Sequence, residues 1–131
     1  MPQVEVKFVG GEKLAVNALE SRTQFFIDKA HGGDTAAGPN PLEVFLASLG
    51  GCLSVYGRRY LTRHNIPFKV FTVAMSASFC EVPPARLVDI KATVKTDAVL
   101  GDKIQPFLAF MNACPVHHTV AQAEHVEISL V

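Results

Sequence analysis

From residue 3 to residue 9 the side chains alternate, with Val4, Val6 and Phe8 on one side and Glu5 and Lys7 on the other. A period of two predicts a half-buried strand. Gly10-Gly11 predicts a turn, and Leu14, Val16 and Ala18 continue as a second strand. Residues 23–28 give a third, with Phe25 and Ile27 on one side and Phe26 on the other. Short turns join the three, which implies an antiparallel meander. Residues 31–39 (HGGDTAAGP) are rich in Gly, Ala and Pro and predict a loop.

Over residues 40–65 the period changes to that of a helix. Pro41 follows Asn40, a good first helical residue after a good cap, and Glu43 completes the spacing of a capping box. Leu42, Phe45, Leu46, Leu49, Leu53 and Tyr56 form the apolar repeat, and Val44, Ala47 and Val55 fill much of the rest. A helix apolar nearly all round is expected to be buried. Glu43, Arg58, Arg59 and Arg63 interrupt any uncharged run long enough for a membrane span. Gly50-Gly51 weakens the helix by roughly 1 kcal/mol per glycine relative to Ala, which is tolerable where another backbone approaches closely. Cys52 stands beside them.

Asn65-Ile66-Pro67 ends the helix, and residues 68–79 alternate as a strand. Residues 81–85 turn the chain and 86–96 return it, with Leu87, Asp89, Lys91, Thr93 and Lys95 on one side and Val88, Ile90, Ala92 and Val94 on the other. A further helix is expected from Gly101-Asp102, capped by Asp102, with Gln105 at its third position. Its apolar face is Ile104, Phe107, Leu108 and Met111, and Pro106 falls in or just past the first turn. Asn112-Ala113-Cys114-Pro115 breaks it and begins another helix, and residues 125–131 (HVEISLV) read as a closing strand. The class is α+β, an antiparallel sheet with a long central buried helix.

At 131 residues the chain is expected to be a single domain spanning 1–131. Charged residues make up 18% against about 25% in ordinary soluble chains, so part of the surface is expected to be covered by a second copy. Twelve acidic and twelve basic side chains cancel, which argues against nucleic acid or an anionic membrane as partner. The opening MPQVEVKFVG has neither the basic flank nor the apolar run of a signal peptide. Three cysteines in an unexported chain point to a chemical or buried role rather than a disulfide scaffold.

Cys114 before Pro115 is a predicted N-cap, where backbone N–H groups and the positive helix end would lower a thiol's pKa. Cys52, in mid-helix, gets no such help. Tyr56, Arg59 and Arg63 lie within about 40° of its direction, but Arg59 is roughly 10 Å along the axis. An activating group must therefore come from another segment or subunit. Cys80, in FCEV, reads as a small hydrophobe. Cys114 and His117 have a zinc-like spacing without the four ligands a structural zinc needs, so no metal is expected. Tyr56 and Tyr60 read as core or interface residues, and Arg58 and Arg59 as a solvated end.

NPLEVFLASLGGC followed by a late CPVHHT resembles the family of osmotically induced protein C and organic hydroperoxide resistance protein. The resemblance runs from the meander to the end of the chain. It implies an intertwined homodimer with sites at the interface, working in the cytoplasm on a peroxide and a dithiol reductant, with no cofactor. It also implies Cys52 as the attacking cysteine and Cys114 as the resolving one. The hydroperoxide-resistance branch places a Glu directly after the Pro, where this chain has Leu42. Glu43 comes one position later and points roughly away from Cys52, ~13 Å along the axis, which favours a capping role. The family's activating Arg has no clear match; Arg22 is the one Arg before the helix. The chain thus looks closer to the branch that reads GGC and keeps Glu one step later. Glu43 and Arg22 are the supporting site residues weighed against the family pattern, and His117, just after Cys114, is a third as a group that could tune that thiol. The rival readings are a non-catalytic binder of a small apolar molecule and a thiol sensor that oxidises once.

Overall fold

The computed structural model describes residues 2–29, 35–122 and 125–131, so the loop expected over 31–39 lies partly outside the described residues. Two compact units meet at the Phe45/Leu46 boundary. The first holds strands β1 (Val4–Phe8), β2 (Leu14–Ala18) and β3 (Thr23–Ile27), an antiparallel meander in the order β1-β2-β3. Val6, Val16 and Phe25 stand in register across it. Gly10 (φ 109°) and Gly11 (φ 59°) make the first turn, in backbone that favours glycine. The centre of β2 is buried at Ala15 and Val16, whereas Val4, Val6 and Phe8 on β1 are exposed.

Helix α1 (Pro41–Arg63) begins as its cap predicts. The Asn40 N–H donates to the Glu43 carboxylate at 3.0 Å, and the Glu43 N–H donates to the Asn40 side-chain oxygen at 2.9 Å. The helix is not buried all round. Leu49, Gly50, Leu53, Gly57, Tyr60 and Leu61 face inward, while Leu42 and Val55 remain 44% and 46% exposed. Among the described residues the fully buried core these inward residues join also holds Phe107, Met111 and Cys114, with Phe71, Val73, Met75, Ile90 and Val94 of the β hairpin packed half-buried against it.

The second unit continues with β4 (Phe71–Cys80), β5 (Arg86–Thr96), a 3-10 turn (Gly101–Lys103), α2 (Ile104–Asn112) and α3 (Pro115–Gln122). β4 starts three residues later than expected, because the Asp97 carboxylate accepts the N–H groups of Lys69 and Val70, both at 2.9 Å. Those two bonds hold Asp97 below the ordinary carboxylate range. β4 and β5 pair antiparallel, but Ser76 faces Lys91 while Ser78 faces Val88. The extra residue is on β5, where Asp89 adopts φ 53°, and this bulge breaks the simple alternation expected for that strand. Leu87 and Val88 are consequently both half-buried.

Two expectations fail in this unit. Asp102 lies in the 3-10 turn, and α2 has no side-chain cap. Pro106, third in α2, lacks an N–H that a cap would otherwise accept. Residues 125–131 form no strand, since they pair with neither sheet, and Ile128 is 92% exposed. Among the described residues no helix is long and apolar enough to cross a membrane.

Candidate functional site

Cys114 sits between α2 and α3 with no exposed surface, in the same core as Leu53, Phe107 and Met111. Ending α2 at Asn112 and starting α3 at Pro115 leaves it as the N-cap of α3. The His117 N–H donates to its sulfur at 3.4 Å, and the Val116 N–H is directed to it as well. Cys52, half-buried on α1, packs against this core close enough to perturb the Cys114 thiol. All three cysteines are free.

The expected lowering of the Cys114 pKa does not survive burial. Desolvation, followed by the neighbouring Cys52, pushes the thiol up; the His117 and Val116 N–H groups pull the other way and lose. Low-dielectric surroundings disfavour the thiolate more than two backbone donors favour it. Cys114 therefore keeps its proton near neutral pH.

Tyr56, one turn beyond Cys52, lies 5.7 Å from the Phe110 ring and under the Arg59 guanidinium at 5.0 Å. Arg63 lies over Phe110 at 5.7 Å. Both arginines are thus held by aromatic faces. With Val55, Arg58 and Thr62 they line a surface groove of about 410 Å³.

The fold brings together Cys52, Cys114 and the His117 backbone. Glu43 and Arg22 belong to the first unit. Glu43 is engaged in the helix cap, and Arg22 occupies the β2–β3 turn with φ 59°. Cys80 ends β4 with its thiol 3.8 Å from the Val82 carbonyl. Among the described residues no group of three or more His, Cys, Asp or Glu could hold a metal ion.

Sequence reasoning missed a cavity of about 290 Å³, lined by Leu49, Leu53, Met75, Ile90, Ala92, Asn112, His117 and Val120. Leu49 and Leu53 share a face of α1 to one side of Cys52, and His117 supplies the amide at Cys114. Its one advance signal was Gly50, a gap in α1 into which Met75 packs.

Curated proteins give no match. Among solved structures, an OsmC-like protein from Mycoplasma pneumoniae superposes with a TM-score of 0.80 at 18% identity, covering 94% of this chain and 89% of that one. The organic hydroperoxide resistance protein OhrB of Bacillus subtilis gives 0.64 at 18%, covering 94% and 92%. An OsmC-like protein of unknown function from Vibrio cholerae gives 0.70 at 8%, covering 91% and 92%. At such identities these neighbours show the fold. A family model described as OsmC-like protein matches residues 31–129, so the chain belongs to the OsmC-like family, which includes proteins of hydroperoxide resistance.

Proposed function

We propose that this chain is a two-cysteine thiol peroxidase that reduces organic hydroperoxides or hydrogen peroxide in oxidative-stress defence. The observation that carries the proposal is that the free thiols of Cys52 and Cys114 pack into one core, where Cys52 is close enough to perturb the Cys114 thiol. The Cys52 thiolate attacks the outer peroxide oxygen; the O–O bond breaks, and the leaving oxygen takes a proton and departs as alcohol or water. Cys52 is then a sulfenic acid. The Cys114 sulfur attacks it, water leaves, and a Cys52–Cys114 disulfide forms. A dithiol reductant reopens the disulfide, becoming oxidised itself.

The raised Cys114 pKa supports this order, because a protonated, buried thiol is a poor first nucleophile and a good nearby resolving group. Hydrophobic side chains left exposed in one chain, Val4, Val6 and Phe8 on β1 and Val55 on α1, support a homodimer of the 131-residue domain. Free thiols suit a reducing compartment, the cytoplasm. His117 holds Cys114 through its amide, and the chemistry asks for no cofactor.

Mass spectrometry after one equivalent of cumene hydroperoxide tests the proposal. A Cys52–Cys114 disulfide is expected, and repeated turnover when a dithiol is added. Protein that emerges unreacted overturns the assignment, and a single oxidation without turnover converts it into a sensor.

A further inference from the structure

We propose that the groove lined by Val55, Arg58, Arg59, Thr62 and Arg63 binds a short phosphate chain, whether free polyphosphate or the phosphates of a nucleotide. The site is separate from the thiol pair and does not depend on the peroxidase reading.

Uncompensated charge is the first argument. At 100° per residue the five side chains fall within about 140° of one face of a helix. All three arginines are exposed. Helix α1 carries no acidic residue after Glu43, and α2, which packs Phe110 against Tyr56, carries none at all. Neither element at the groove therefore supplies a counter-charge. The helix end explains only part of the cluster. A basic residue in the last turn complements the negative end of the helix dipole, which accounts for Arg63. Arg58 and Arg59 stand a turn earlier, where that effect has faded. Arg59 and Arg63 also form a like-charged i, i+4 pair, which weakens a helix unless something neutralises it. An anion in the groove does so.

Preorganisation is the second. The Arg59 guanidinium lies over Tyr56 at 5.0 Å and that of Arg63 over Phe110 at 5.7 Å. These contacts restrain two head groups without neutralising them, which lowers the ordering cost of binding. Ligand chemistry is the third. A guanidinium fork matches phosphate oxygens two at a time, and three such forks suit a chain of phosphates better than one carboxylate. The Thr62 hydroxyl adds a neutral donor, and about 410 Å³ of open groove gives the chain room. Tyr56 and Phe110 are already engaged by guanidinium groups and by each other, so a nucleotide's base finds no ring to stack on. The phosphates alone are recognised.

The test is calorimetric titration of the full chain with sodium triphosphate and with ATP at about 10 mM salt, where screening is weak. Both are expected to bind with similar affinity. Arg59→Gln and Arg63→Gln should each weaken triphosphate about tenfold, the loss of one charge-assisted contact. Lys91→Gln, which removes the same charge from β5, should leave it unchanged. A check free of any variant follows the side-chain Nε resonances of wild-type protein. Those of Arg58, Arg59 and Arg63 are expected to shift with triphosphate, while Arg22 and Arg86, outside the groove, stay in place. Equal weakening by Lys91→Gln, or shifts at all five arginines, overturns the proposal in favour of diffuse charge. ATP binding more than tenfold tighter than triphosphate overturns recognition by phosphate alone. Absence of binding overturns the site itself, and a dimer that Arg59→Glu then dissociates assigns the groove to a second copy of the chain.

Discussion

The His117 amide lies 3.4 Å from the Cys114 sulfur, yet burial outweighs the amide and leaves the Cys114 pKa above the ordinary thiol range. Above pH ~8.5 the unfolded chain releases the thiol proton while the folded chain retains it. The folded state then binds more protons, so stability is at its full value below that pH and falls as pH rises through the folded pKa. Urea midpoints measured from pH 7 to pH 10 should decline on the alkaline side, and Cys114→Ala should flatten that decline while lowering the midpoint at pH 7.

The two thiols should behave differently when replaced. Cys52→Ser is expected to reduce peroxide consumption to the background of free thiols, a loss on the order of 10³-fold or more for removal of a nucleophile. Cys114→Ser should still react once and stop with a sulfenic acid on Cys52, visible as a dimedone adduct. Equal steady-state rates for wild type and Cys52→Ser would remove the chemistry from that residue.

Asn40 and Glu43 cap α1 by exchanging backbone bonds. Asn40→Ala should cost about 1 kcal/mol of stability. Glu43→Gln retains an acceptor of the right length and should cost less than Glu43→Ala. Thermal unfolding of the three variants ranks them, and an Asn40→Ala protein as stable as wild type would deny the cap its role.

Two helical glycines should respond with opposite sign. A Cβ at Gly51 meets nothing within 4 Å, so Gly51→Ala should stabilise by about 1 kcal/mol through helix propensity. A Cβ at Gly57 would lie 2.5 Å from Phe71 Cζ and 3.1 Å from Met111 Sδ. Gly57→Ala should therefore destabilise by roughly 1–3 kcal/mol from overpacking. Denaturant titration of the pair decides both.

Features fixed by neighbours in sequence were legible before any coordinates. The meander, the Asn40–Glu43 box, the α2–α3 break at Cys114 and the span of β5 all follow from local alternation, caps and prolines. What escaped depends on contacts far apart in the chain. Asp89 in a left-handed conformation shifts β5 against β4, and nothing in RLVDIKATVKT announces it. Asp97 reaches 28 residues back to Lys69 and so delays the start of β4. The composition of helix α1 implies enclosure, but how much of a helix is enclosed depends on how many elements reach it. The Cys114 shift runs opposite to the one its cap position implies for the same reason, since a cap is local and burial is not.

Arg58, Arg59 and Arg63 line one groove, and no Asp or Glu occurs from residue 44 to residue 80. An ion-exchange resin samples the face presented to it, so a chain whose formal charges sum to zero should be retained on a cation exchanger near neutral pH. Arg58→Glu should advance its elution, although the isoelectric point alone gives no warning that the column would hold it.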